Sequence, residues 1–347
     1  MLTVDAYAVN GPSVPLVRTK IQRRVLGPHD VLIEIKYSGI CHSDIHHALG
    51  EVPNVSFPFV PGHEITGIVS EIGSEVSRYS VGDRVGVGCM VNSCRECGPC
   101  WEGKEQFCLN GHVSTYLGVD EDGSITQGGY STHIVVNEDF VLSVPDGIAL
   151  DVAAPLMCAG ITGYSPLHRY GAGPGKKVAI AGLGGIGHVA VKIARAMGAE
   201  VSVLSQSLKK QEDALRLGAD NYYATGDVDT FRSLTGTFDL IVNTISADID
   251  LRSYLRILAP EGVIANVGVA LSPMSLMTPQ LIAGGKAIAG SLIGGIDATQ
   301  RMLDFCADHG VGAEIEVIPA AKINEAYERV LASDVRYRFV IDIATLR

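Results

Sequence analysis

The stretch that most restricts the fold runs from Lys177 to Met197. Lys177–Ala181 is a short apolar run, Gly182-Leu183-Gly184-Gly185-Ile186-Gly187 follows at once, and His188–Met197 then has helical spacing. A strand that turns into a helix through G-x-G-x-x-G is a cradle for a dinucleotide pyrophosphate. The first glycine permits the tight turn, the second lets the phosphates approach the backbone, and the third lets helix and strand pack closely. The helix start adds free N–H groups and a positive dipole end. The competing reading, a βα turn without ligand, leaves three glycines weakening a helix start for no return.

The surrounding pattern supports the cradle. Strands are expected at 177–181, 200–204, 221–223, 238–243, 263–267 and 287–291, with helical segments between them. Several of these helices are expected to stop at glycines, at Gly198, at Gly218 and at Pro260-Glu261-Gly262. Six strands with helical crossovers predict an α/β fold, a doubly wound parallel sheet covered on both faces. The first 150 residues differ. Asp30–Tyr37 alternates, Gly67–Ile72, Arg84–Val91 and His133–Val136 are further strand candidates, and Pro and Gly punctuate them. That half is β-rich and barrel-like. After Ser291 a helix (297–309), a strand (314–317), a helix (322–332) and a strand (337–343) are expected, either extending the sheet or returning to the first domain.

Length and charge narrow the function. With 347 residues the chain exceeds what one core normally supports, so two domains are expected. A net charge of −11 repels nucleic-acid backbones. The longest apolar stretch, Val178–Val191, is too short to span a bilayer. The N-terminus lacks the regions of a signal peptide, so a cytoplasmic location is expected, without membrane or nucleic-acid partners.

The eight cysteines are therefore read as thiols or metal ligands and not as a disulfide framework. Cys94, Cys97, Cys100 and Cys108 follow a C-x2-C-x2-C-x7-C pattern. Four thiolates in one short lobe suit a closed, tetrahedral structural zinc. An iron–sulfur cluster is the rival, but its usual run expects the fourth cysteine sooner and a proline after it. Unligated thiols are the third reading. A second set is dispersed: Cys41 in Gly39–His46, His63 and Glu64 in Pro61–Glu64, and Cys158 alone. Two thiolates and an imidazole can hold zinc with a position left open. Spacing alone does not connect them, and a buried core thiol is the simpler reading of Cys158.

Taken together, GICHSDIH, PGHEITGIV, the cysteine lobe, the GLGGIG loop and the closing YRFVID resemble the zinc-dependent medium-chain alcohol dehydrogenases over essentially the whole chain. Leu156–Thr162, Gly290–Gly294 and Val335–Phe339 are most similar to the cinnamyl-alcohol-dehydrogenase branch and its bacterial NADPH-dependent aldehyde reductases. The resemblance implies a GroES-like catalytic domain over 1–152 and 293–347, a Rossmann cofactor domain over 153–292, an active site in the cleft between them, and a homodimer. It also implies two zinc ions per chain. Cys41, His63 and Cys158 would hold the catalytic one, with Glu64 able to approach it when water exchanges; the lobe cysteines would hold the structural one. Asp44 would fix the His63 tautomer. The substrate would be a small alcohol or aldehyde, with aromatic, cinnamyl-type and medium aliphatic chains all fitting.

The implied chemistry is hydride transfer between a nicotinamide and a carbonyl polarised by zinc. Ser43, where the family more often has threonine, would pass the proton through the cofactor ribose to His46, which could otherwise be a plain surface histidine. His42 and Arg338 would meet the pyrophosphate, Thr162 would flank the nicotinamide, and Val267 joins the cofactor positions. His47, His112 and His133 receive no role.

The cofactor is expected to be NADP(H). A ribose-binding acid normally stands about 20 residues past the glycine loop. Here the second strand runs into Ser205-Gln206-Ser207-Leu208-Lys209-Lys210, with no carboxylate before Glu212. Ser205, Ser207 and Lys210 can receive a 2′-phosphate, although Gln206 departs from the related serine run. Three competitors stand beside this reading. An NAD-preferring enzyme of the same family is one. A zinc-free quinone or enoyl reductase on the fold would lack the ligands and the lobe. A non-catalytic zinc protein would show damaged ligands or a broken loop.

Overall fold

The computed structural model describes all residues except 228, 271 and 347. The chain divides into two compact units, Met1–Cys158 with Gly294–Arg347, and Ala159–Ile293. The division expected at 152/153 thus lies six residues before the one observed. The helix Leu150–Ala153 and the 3-10 turn Ala154–Met157 stay with the first unit, because they pack on its strands Asp30–Gly39 and Ile65–Ile72. Thr66 Oγ1 also donates to the Leu150 carbonyl at 2.8 Å.

The first unit is built on a seven-stranded sheet centred on Asp30–Gly39. Alternation in this strand puts Val31, Ile33 and Ile35 on the core face, each at most 2% exposed. Ile65–Ile72 pairs along one edge; His133–Asn137 and Arg338–Asp342 share the other, all antiparallel. The closing strands Ile315–Pro319 and Arg338–Asp342 therefore return to the first unit. The strand expected over 84–91 is interrupted. Arg84–Val87 and Met90–Asn92 belong to different sheets, parted at Gly88-Cys89.

The second unit is a six-stranded, wholly parallel sheet. Its order is Asn221–Ala224, Glu200–Ser205, Lys177–Ala181, Phe238–Asn243, Leu258–Asn266 and Ala287–Gly290. Numbered from the first of them along the chain, this is the 3-2-1-4-5-6 order of dinucleotide-binding sheets. Residues 178–181 are fully buried, as a strand covered on both faces requires. One expectation fails: Pro260-Glu261-Gly262 does not stop a helix. The helix Leu251–Ile257 ends earlier, and the tripeptide lies within the span Leu258–Asn266 at a register shift. Glu261 there takes φ +62° and donates its N–H to Gly284.

Candidate active site

Pairing at one end of the first unit's sheet gathers residues that are far apart in sequence. Ser38 pairs with Ile65, so the segments just outside them, 39–41 and 63–64, run side by side; Gly39 N–H donates to the Glu64 carbonyl at 2.8 Å. On the other side Gly39 pairs with Val340, and Ile40 N–H donates to Phe339. Three strand ends thus deliver Cys41, His63 with Glu64, and Arg338. Cys158 arrives from below, at the end of Ala154–Met157. Its approach needs glycines above it: a Cβ on Gly86 would stand 2.1 Å from Met157 Cε, and one on Gly88 would stand 3.0 Å from the Met157 carbonyl.

The donor atoms of Cys41, His63, Glu64 and Cys158 all lie within 4.8 Å of one another. The two Sγ atoms are 4.0 Å apart, close to the roughly 3.8 Å that zinc–sulfur bonds of about 2.3 Å set in a tetrahedron. All four residues are buried. Cys41 and Cys158 share a hydrogen bond that draws the Cys41 thiol well down and Cys158 well up. Burial pushes the Glu64 carboxyl up to about 8 against the pull of Arg338, its buried ion-pair partner. Among the described residues Glu64 Oε2 has no hydrogen-bond partner, a costly state for a carboxyl group that is 0% exposed. A cation among the thiolates would relieve it, so the donor set fits zinc.

Asp44 sits in the first turn of the helix His42–Leu49, where its Oδ2 accepts from Cys41 N at 2.9 Å. Its Oδ1 accepts from His63 Nδ1 at 3.1 Å, which leaves Nε2 as the free donor atom. Burial opposes a charged imidazole at His63, but Asp44, Cys89 and Cys41 override it and hold that group well above its ordinary value. Ser43 and His42 lie exposed on the same turn. His46 Nδ1 meets Glu51 Oε2 at 2.5 Å, and the His42 and His46 rings are 5.1 Å apart.

The cysteine lobe forms a second cluster. Cys94, Cys97, Cys100 and Cys108 have their Sγ atoms within 4.8 Å of one another, with neighbours at 3.3, 3.4 and 3.9 Å. The Leu109 N–H, donating at 3.4 Å, brings the Cys97 thiol down to about 6, while burial pushes Cys100 up to about 12. Four crowded sulfurs without an acidic neighbour in the set suit a closed thiolate site.

In the second unit Gly182 takes φ +92°, and a Cβ there would stand 2.7 Å from Thr244 Oγ1. A Cβ on Gly187 would stand 2.1 Å from the Gly182 carbonyl, whereas the position above Gly184 is open. These are the turn expected at Gly182 and the close packing expected at Gly187, with the space above Gly184 left clear. Leu183, Gly185 and Ile186 complete the loop, and the helix Gly187–Ala196 opens directly behind it. Lys210 Nζ donates to the Leu183 carbonyl at 2.8 Å, so its ammonium stands at the loop. Ser205 ends the second strand and Ser207 follows exposed. Val267, just past its strand, donates to Asn243, and Thr162 is buried in Ala159–Arg169.

Sequence reasoning missed Glu51 beside His46, the Arg338–Glu64 pair, the thiol of Cys89, and three buried tyrosines. Of these, Tyr130 OH donates to Asp44 Oδ2 at 3.2 Å, and the Tyr116 ring centroid lies 5.7 Å from that of His63. A charged residue five positions after His46 was the one available signal.

Two family models match the chain: "Alcohol dehydrogenase GroES-like domain" over residues 27–146 and "Zinc-binding dehydrogenase" over 185–308. An NADP-dependent alcohol dehydrogenase C of Mycolicibacterium smegmatis is 60% identical, with 100% of both chains covered. A cinnamyl alcohol dehydrogenase from Sorghum bicolor superposes with TM-score 0.96 at 43% identity, covering 99% of this chain and 98% of that one. A CAD from Helicobacter pylori complexed with NADP(H) gives 0.93 at 41% identity, covering 99% of each. With both family models matched in order and a full-length relative at 60% identity, the chain belongs to the alcohol dehydrogenase family of GroES-like, zinc-binding dehydrogenases.

Proposed function

We propose that this chain interconverts aldehydes and primary alcohols with NADP(H), acting on aromatic, cinnamyl-type or medium aliphatic substrates. The observation that carries the reading is the buried cluster of Cys41, His63, Glu64 and Cys158 in a family of zinc-binding dehydrogenases. Cys41, His63 and Cys158 hold a catalytic zinc, and Cys94, Cys97, Cys100 and Cys108 a structural one. Bound at the first set, zinc supplies Lewis acidity to the substrate oxygen. Glu64, ion-paired with Arg338, would be the carboxylate nearest a metal held there.

The remaining work falls to side chains. Asp44 keeps His63 in the tautomer that ligates. Ser43 would hold the substrate proton, and His46, whose Nδ1 meets Glu51 Oε2 at 2.5 Å, would exchange that proton with solvent. The backbone of Gly182–Gly187 would receive the pyrophosphate, and His42, Arg338, Thr162 and Val267 are read as further cofactor residues from the family resemblance. Ser205, Ser207 and Lys210 would take the 2′-phosphate. The Lys210 ammonium at the glycine loop supports this, as does the want of a carboxylate at the end of the second strand.

We also read the chain as a cytoplasmic homodimer. No helix among the described residues is long and apolar enough to cross a membrane. The edge strand Ala287–Gly290 leaves its end residues exposed, and Ile282 and Leu292 near it are 78% and 49% exposed.

An aldehyde panel assayed with each cofactor tests the function. NADPH is expected to give the higher kcat/KM, and Ser205→Asp to reverse the preference, since a carboxylate repels the 2′-phosphate. A wild-type enzyme that already prefers NADH overturns the cofactor assignment.

A further inference from the structure

We infer that Tyr130 is a positioning residue for the metal centre: its phenol donates to Asp44 and so holds the carboxylate that orients His63. This rests on the reading that Cys41, His63 and Cys158 hold the catalytic metal.

Asp44 is 0% exposed and accepts four hydrogen bonds. Cys41 N at 2.9 Å and Tyr130 OH at 3.2 Å reach Oδ2; Gly62 N at 3.2 Å and His63 Nδ1 at 3.1 Å reach Oδ1. Two of these donors are backbone groups of the metal-site segments themselves and move with them. Tyr130 comes from a separate segment, so it supplies a fix on the carboxylate that does not move with the metal-site backbone. Tyr130 is itself 0% exposed, and its hydroxyl proton needs an acceptor. Tyr327 OH lies 3.5 Å behind it and donates to the Tyr130 oxygen, which leaves the Tyr130 proton directed at Asp44.

The loop that carries Tyr130 is built to hold this contact. Tyr130 N–H donates to the Pro61 carbonyl at 3.0 Å, and Gly129 N–H to the Gly62 carbonyl at 2.8 Å. A Cβ on Gly128 would stand 2.3 Å from the Pro61 oxygen, so Gly128 is the residue that lets the two backbones meet. Gly62 takes φ +104°, and a Cβ there would stand 2.7 Å from the Tyr130 ring. On the far side the buried Arg23 donates to the carbonyls of Gln127, Gly128 and His133 and to Ser131 Oγ. The loop is thus clamped from behind by one guanidinium and seated in front on the segment that bears His63.

Tyr130→Phe removes the hydroxyl and keeps the ring that packs on Gly62. Partners of ligating histidines contribute about 10–100-fold to metal affinity. Acting one bond further out, the phenol is expected to contribute about 3- to 10-fold. The probes are zinc, by chelator competition on the folded holoenzyme, and cobalt(II) exchanged into the same site, read by its absorption bands. Tyr130→Phe should weaken zinc binding by that factor, shift the cobalt bands, and lower kcat while leaving the KM for NADPH unchanged. Asp44→Asn should do the same more strongly, and Tyr327→Phe by about twofold.

Cys158→Ala identifies the binding phase that belongs to this site. If it leaves that phase intact, the metal-site reading fails. If it abolishes the phase and Tyr130→Phe leaves both affinity and cobalt bands as in wild type, the inference about Tyr130 is overturned, whatever happens to the melting temperature. Should Tyr130→Phe not fold, unchanged affinity and bands in Tyr327→Phe overturn it instead.

Discussion

The two cysteine clusters hold their sulfurs at similar separations by opposite means. Cys94, Cys97, Cys100 and Cys108 come from one run of the chain, and short local turns, including Arg95 at φ +57°, fold them onto each other. Cys41, His63 and Cys158 are brought together by strand pairing and by a 3-10 turn seated under Gly86 and Gly88. In the lobe every donor is a thiol, so a metal there finds four ligands and no open position. The dispersed set has two thiols, an imidazole and a carboxylate, of which one oxygen is ion-paired with Arg338 and the other lies among the donors, so its ligands are not all thiolates. The comparison teaches that a metal held by the local cluster would brace a loop, whereas a cluster assembled by strand register is where chemistry would be placed.

The largest effect should come from breaking the dispersed set. Cys158→Ala or His63→Ala is expected to lower turnover by more than about 10³-fold, because Lewis-acid stabilisation worth several kcal/mol is lost. Cofactor binding, measured by fluorescence titration, should stay near wild type. Breaking the local set should act on stability instead. Cys97→Ala is expected to lower the melting temperature by about 10 °C or more, since structural zinc contributes directly to folding free energy. Residual folded enzyme should keep most of its kcat.

A smaller effect is expected where proton transfer alone is interrupted. Ser43→Ala should lower kcat by about 10²-fold with little change in aldehyde KM, and His46→Gln by less, because water can substitute at the outer end of the path. Wild-type pH–rate profiles in both variants would remove the relay.

The smallest concerns the scaffold and separates its acid sensitivity from that of the metal centres. Burial disfavours the Glu138 carboxylate, but N–H donors of Arg78 and Ser77, each at 3.0 Å, and His29 hold its pKa below the ordinary value. A carboxylate depressed in the folded state stabilises above its unfolded pKa and loses that contribution as pH falls through the folded one. Glu138→Gln is therefore expected to cost about 1–2 kcal/mol at pH 7, with the difference from wild type shrinking below about pH 4. A difference that stays constant with pH would contradict this.

The same contrast governs what could be read from sequence. The lobe and the glycine loop were legible because their meaning lies in short spacings, and φ +92° at Gly182 fulfils the role given to that residue. The pairing of Cys158 with Cys41 was not, because it depends on sheet register and on Met157 lying under Gly86. The 84–91 strand was read as continuous because apolar alternation carries no mark of the break at Gly88. Pro260-Glu261-Gly262 looked like a helix stop because a left-handed residue ends helices and also breaks strand register. Tyr130 gave no signal at all, since a buried tyrosine at Asp44 is spelled like any core aromatic.

The central claim is that the chain holds two metal ions by two different kinds of site. Zinc counted per chain after exhaustive dialysis, in wild type and in Cys158→Ala, tests it most directly. The expected result is about two in wild type and about one in a folded Cys158→Ala that binds cofactor but does not turn over. A Cys158→Ala enzyme that keeps two zinc ions, or one that keeps near wild-type turnover with its second zinc gone, would contradict it.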